Sequence, residues 1–114
     1  MEIPEVGKTY NCFDDGKIRE SRLYHITVKS VVPFDKIDLE TRKKWDNEVV
    51  SCPWLYNTTT DYFIITDDEH GGEEIFVRTK DDGWFSIGGF ICAGRLDVSG
   101  SLTKWLNENK IKLF

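Results

Sequence analysis

Four dipeptides that favour tight reversals, Asp15-Gly16, Gly71-Gly72, Asp82-Gly83 and Gly88-Gly89, punctuate this chain. Glycine takes φ > 0 without a steric penalty, so such pairs mark hairpins and not helix interiors. The segments they separate are short and rich in β-branched and aromatic residues, as strands are. Lys8–Phe13 alternates well enough for a first strand. Arg22–Val32 is the clearest one, with Tyr24, Ile26 and Val28 on one face and Leu23, His25, Thr27 and Lys29 on the other. Pro33 ends it, because proline has no amide proton for a ladder. Tyr62–Thr66, Ile75–Arg78, Trp84–Ile87 and Phe90–Leu96 follow as further strands, with Asp67–Gly72 as a polar connection.

One stretch breaks the β texture. Ile37, Thr41, Trp45 and Val49 recur every fourth residue, with Leu39 and Cys52 near the same stripe, while Arg42, Lys43, Lys44 and Asp46 cover the other side. That period predicts an amphipathic helix running to about Val50, capped by Asp35 or Asp38, whose carboxylate accepts from an early backbone N–H. A second, short helix is expected near the C-terminus. It holds Leu102, Trp105 and Leu106 behind a Ser99 or Ser101 cap, and Ile111–Phe114 forms a strand or packed tail. Trp45 and Trp105 are expected in the core. Strands joined by brief turns pair antiparallel, so the predicted fold is α+β. It is an antiparallel meander sheet of about five to six strands, with one amphipathic helix packed on it and a short C-terminal helix.

The 114 residues form a single expected domain, 1–114, with 39% hydrophobic and 13% aromatic content. A chain of this length buries roughly two-thirds of its unfolded surface, and such aromatic content excludes disorder. No apolar run approaches the ~20 residues of a membrane span. Cys12, Cys52 and Cys92 form no CxxC pair and leave an odd thiol, against a disulfide scaffold or a structural zinc site. No apolar core follows a basic start, so no secretory leader is visible, and a cytoplasmic, reducing setting is expected.

Charge is distributed unevenly. Asp61–Asp82 holds eight acids against two bases, whereas the remainder is nearly balanced, and the whole chain carries −5. Nucleic acid is an unexpected direct partner, since its backbone demands a basic stripe. A basic protein partner suits the acidic segment. The expected contact residues are Asp67, Asp68, Glu69, Glu73, Glu74, Asp81 and Asp82, together with the turn aromatics Trp54, Tyr56 and Trp84. Aromatics of this kind bury much area while few torsions freeze.

No cofactor or metal is expected. The loop Asp67–Glu74 lacks the ligand alternation and closing glutamate of an EF-hand, and its two glycines suggest a loose tip. None of the glycine pairs has the spacing of a phosphate-binding loop. His25 is expected half-buried in its strand and His70 at a mobile tip. Neither setting prepares Cys12 or Cys92 as a nucleophile. The weight of the residues is against an enzyme. The leading expectation is a small acidic interaction module of the inhibitor, immunity-like or accessory type. An alternative is a small-molecule or catalytic pocket between helix and sheet, lined by Trp45, Tyr24 and Trp84 with Cys92 or His25. A third reading is self-association through an uncovered strand edge.

Overall fold

The computed structural model describes residues 3–14, 23–87 and 94–109. Six strands follow one another as β1 (Thr9–Asp14), β2 (Leu23–Pro33), β3 (Tyr62–Asp68), β4 (Glu73–Arg78), β5 (Trp84–Ser86) and β6 (Gly94–Leu96). Each pairs antiparallel with its neighbour in sequence, in the expected meander order. The sheet does not stay open. Cys12, Phe13 and Asp14 of β1 pair with Leu96, Arg95 and Gly94 of β6, closing a six-stranded barrel. Closure leaves none of these strands as a free edge, which removes the geometry that edge-to-edge self-association needs.

Side-chain alternation divides the apolar residues between two cores. Tyr10, Cys12, Ile26, Val28, Ile64, Phe76, Trp84 and Leu96 point into the barrel. Phe63, Val77, Phe85 and Ile87 point outward and are covered by Trp45 and Tyr56. An irregularity between Val28 and Ser30 shifts the β2–β3 register, so that Val31 packs against the interior set. Such a bulge also increases local twist, which a small barrel requires.

A single turn of 3-10 helix (Phe34–Lys36) leads into α1, Leu39–Ser51, which lies across the outer face of β3, β4 and β5. The Asp38 carboxylate caps it, accepting from the Thr41 backbone N–H at 2.7 Å. Trp45 and Thr41 are buried, and Ile37, Val49 and Cys52 are partly buried, so most of the four-residue stripe faces the barrel. Trp45 meets Tyr56 and Phe63 edge-on at 5.6 and 5.9 Å between centroids. Leu39 departs from the expected stripe and stands 69% exposed, because it is two residues from the buried Thr41 and so about 200° round the helix from it.

The second helix, α2, spans Ser101–Glu108 and buries Leu106. Neither expected serine serves as its principal cap. Gly100 occupies the cap position in a left-handed conformation (φ 76°). Asp97, just after β6, instead accepts from the backbone N–H groups of Leu102 and Thr103 at 3.2 and 2.9 Å, and from the Thr103 hydroxyl at 2.5 Å. Ser99 contributes a lesser bond, from Ser101 N–H at 3.3 Å. Trp105 is 46% exposed and is not part of the core. No helix among the described residues is long and apolar enough to cross a membrane.

Candidate functional site

Every carboxylate of the acidic segment finds a partner within the fold. Lys29 on β2 meets Asp67 at 3.2 Å and Glu73 at 2.7 Å. Glu69 accepts from the His25 backbone N–H at 3.2 Å and lies 3.5 Å from the His25 ring nitrogen. That backbone bond above all, helped by the His25 side chain, outweighs the opposing desolvation and holds its carboxyl below the ordinary range. Asp68 folds back on the turn to accept from His70 and Gly72 N–H at 2.7 and 2.8 Å. With Gly71 in the left-handed region (φ 84°), the tip is a bonded turn and not a loose one. His25 is exposed on the outer face of β2, not half-buried. Glu74 points into the barrel and accepts from the Tyr24 hydroxyl at 3.1 Å.

The second acidic turn is built differently. Asp81 accepts from the Thr79 hydroxyl, from Gly83 N–H at 3.1 Å and from Arg95 at 2.9 Å. Burial pushes its carboxyl up, but these hydrogen bonds and the Arg95 charge outweigh that, and it sits below the usual range. Arg78 spans Asp82 at 3.4 Å and Asp61 at 3.8 Å. The positive φ expected of Gly83 falls instead on Asp82 (φ 64°), as in a three-residue hairpin loop that ends in a left-handed residue. Room at Gly83 is tight, since an added Cβ would lie 3.0 Å from Asp81 Oδ1 and 3.1 Å from Thr79 Oγ1 and would have to displace them by a few tenths of an ångström.

These two turns do not share a surface. The β3–β4 turn follows one end of the hairpin and the β4–β5 turn follows the other, so the six residues of β4 lie between them. At the rise of a strand that is about 17–20 Å. Among the described residues the charge divides accordingly. The β3–β4 end sets Asp67, Asp68, Glu69, Glu73 and Glu74 against Lys29, while Asp61, Asp81 and Asp82 at the other end are balanced by Arg78, Lys80 and Arg95.

The three aromatics also separate. Tyr56 and Trp84 are each 2% exposed, Tyr56 packed under α1 and Trp84 inside the barrel. Only Trp54 stands out, 73% exposed, on the connection between α1 and β3. That connection is fastened to the β4–β5 turn. Lys80 N–H donates to Leu55 O at 2.9 Å, the Lys80 ammonium donates to Pro53 O, and Tyr56 bridges Thr79. The exposed indole therefore belongs to the balanced end of the barrel, away from the acidic hairpin.

At that same end an open groove of about 590 Å³ runs between the β4–β5 turn, the end of β6 and α2. Trp84 and Leu96 lie at its base, Leu102 and Trp105 line the helical side, and Asp81, Asp82 and Arg95 line the turn side. A shallower depression of about 310 Å³, between Lys8 and Thr103, shares Asp97, Val98 and Ser99 with it. Trp105 was expected in the core but is 46% exposed, and Arg95 was not singled out in the sequence. A helical wheel would have found Trp105, because Leu102 and Leu106 already define the buried stripe one turn apart and leave it beside that stripe.

The interior of the opposite end is polar. Tyr24, Glu74 and Cys12 meet there, and Ser86 accepts from Gly94 N–H at 2.9 Å. Burial first, then Cys12 and Glu74, push the Tyr24 phenol far above its ordinary range, so it remains a neutral donor. Tyr24 and Trp84 lie inside the barrel and Trp45 lies outside it. The sheet itself stands between the residues expected to line one helix–sheet pocket. Cys92 lies outside the described residues. No group of three or more His, Cys, Asp or Glu among the described residues is placed to hold a metal ion. Comparison with protein-family models, curated proteins and solved structures finds no match.

Proposed function

We propose that this chain is a small interaction module that binds a protein partner bearing basic residues, docking at the end of the barrel where the groove lies. The carrying observation is the groove of about 590 Å³ with the half-exposed Trp105 on its rim. Concave sites that combine apolar wall with a few polar groups are where binding concentrates. The neighbouring Trp54 adds a second exposed indole on a connection bonded to the same turn. Exposed tryptophans on a fastened backbone suit recognition, since little order remains to be gained on binding.

The acidic hairpin has a different part in this reading. Its net negative charge lies a strand's length from the groove, so it attracts a basic partner from a distance and does not touch the docked segment. Steering of this kind raises association rates and weakens with salt. A peptide array probed with the isotope-labelled protein, followed by NMR titration of the strongest binders, tests the proposal. Trp54 and Trp105 indole signals and the 79–83 amides are expected to move, and Trp105→Ala to weaken binding. Binders that perturb only the β3–β4 hairpin would overturn the groove as the docking site.

A further inference from the structure

Resting on the groove as the docking site, we propose that it seats an arginine side chain of the partner, stacked on the Trp105 indole and paired with the Asp82 carboxylate. The charged residues lining the groove are Asp81, Asp82, Arg95 and Asp97. Two of the three carboxylates are already committed. Asp97 caps α2 through three hydrogen bonds, and Asp81 is held by Thr79, Gly83 and Arg95. Asp82 is the most exposed of the three. Its side chain is 72% exposed, and its pairing with Arg78, at 3.4 Å, is at the long end of hydrogen-bond reach.

The backbone keeps that carboxylate where it is. Asp82 N–H donates to Thr79 O at 3.2 Å and Thr79 N–H to Gly83 O at 2.9 Å. These bonds fix the left-handed conformation, so docking does not have to order the turn. Arg95, the base among the described lining residues, is not free to hold an anion. Arg95 is drawn to Asp81 at 2.9 Å and lies over the Phe85 ring, 5.4 Å from its centroid. Among the described residues lining the groove three acids face one base, and with Arg95 held by Asp81 the complementary occupant is a cation.

The indole selects among cations. A guanidinium is planar, stacks on an aromatic face and keeps its N–H fork free for a carboxylate, whereas a lysine ammonium is a strongly hydrated point charge. Trp105 presents the aromatic surface, and Leu102, one turn away, offers an apolar wall for the residue beside the arginine.

The test is an NMR titration of the full chain with three acetylated, amidated tripeptides, Leu-Arg-Leu, Leu-Lys-Leu and Leu-citrulline-Leu. Citrulline keeps the planar shape and removes the charge. The arginine peptide is expected to move the Trp105 indole N–H and the Asp82 amide, and to bind at least about fivefold more tightly than the citrulline one. Asp82→Asn, which keeps a residue tolerant of the left-handed backbone, should abolish that difference. Trp105→Leu should weaken the arginine peptide by about tenfold. Equal affinity for arginine and citrulline at the groove, or lysine binding as tightly as arginine, would overturn this inference while leaving the docking site standing. Array binders that map elsewhere, with no tripeptide moving Trp105, would overturn both.

Discussion

Gly94 is the position where the closed barrel makes its sharpest demand on the sequence. An added Cβ there would lie 2.8 Å from Cys12 Sγ and closer still to the Tyr24 hydroxyl oxygen. Neither obstacle is free to retreat. Cys12 is fully buried, and the Tyr24 hydroxyl is tied to Glu74 at 3.1 Å. Gly94 itself sits on β6, which pairs with β1 and β5 on its two sides. Overpacking of this kind costs about 1–3 kcal/mol, and the rigid setting puts Gly94→Ala near the top of that range. For a chain of this size it corresponds to a fall in Tm of about 10 °C. The diagnostic is coupling. Tyr24→Phe removes the nearer of the two colliding atoms and loses a hydrogen bond to a carboxylate, a cost of about 1.5–3 kcal/mol by itself. In the double variant the nearest atom of the ring lies at an ordinary 3.4 Å, and only the 2.8 Å approach to Cys12 Sγ is left to relax. The two substitutions together should therefore cost at least about 1 kcal/mol less than their sum, as read by urea unfolding followed through tryptophan fluorescence. A Gly94→Ala variant as stable as the parent, or strict additivity in the cycle, would refute the packing described for the barrel interior.

Further outcomes follow from single contacts. Trp45→Ala should destabilise by about 3–5 kcal/mol and erase much of the near-ultraviolet dichroism, because the indole is the centre of the outer core. Trp54→Ala should stay within about 0.5 kcal/mol of the parent. Asp97→Ala should cost about 1–2 kcal/mol and speed amide exchange at Leu102 and Thr103, with the barrel amides unaffected. Asp38, Glu69 and Asp81 all ionise below the ordinary carboxylate range in the folded chain. Their stabilising contribution is therefore complete above the unfolded value of roughly 4 and is lost as pH falls through the lower folded values. Unfolding midpoints should hold steady from neutral pH down to about 5 and drop below about 4, and Asp81→Asn should flatten part of that drop.

Local chemistry was legible wherever one element alone decides it. Tyr24, Ile26 and Val28 face inward because strands alternate, and Thr41, Trp45 and Val49 face the barrel because helices repeat near every fourth residue. Where two elements decide together, the expectations failed. Asp97 caps α2 from beyond its first turn, which no adjacent serine reveals. Trp84 and Tyr56 look like surface aromatics because each sits beside a turn, yet the barrel wall and α1 enclose them. The separation of the two acidic turns was in principle readable, since successive turns of a meander alternate between its ends.

The sequence by itself determines the order of strands and helices, the face each presents and the overall negative charge, because period, turn residues and composition are local properties. Only the tertiary structure decides that Cys12 and Phe13 meet Leu96 and Arg95 to close the sheet. It alone places the charge at one end of the barrel and the exposed indoles Trp54 and Trp105 at the other. Those outcomes depend on pairing between segments some eighty residues apart in the chain. That pairing is set by the summed twist and register of all six strands, and no window of neighbouring residues carries the sum.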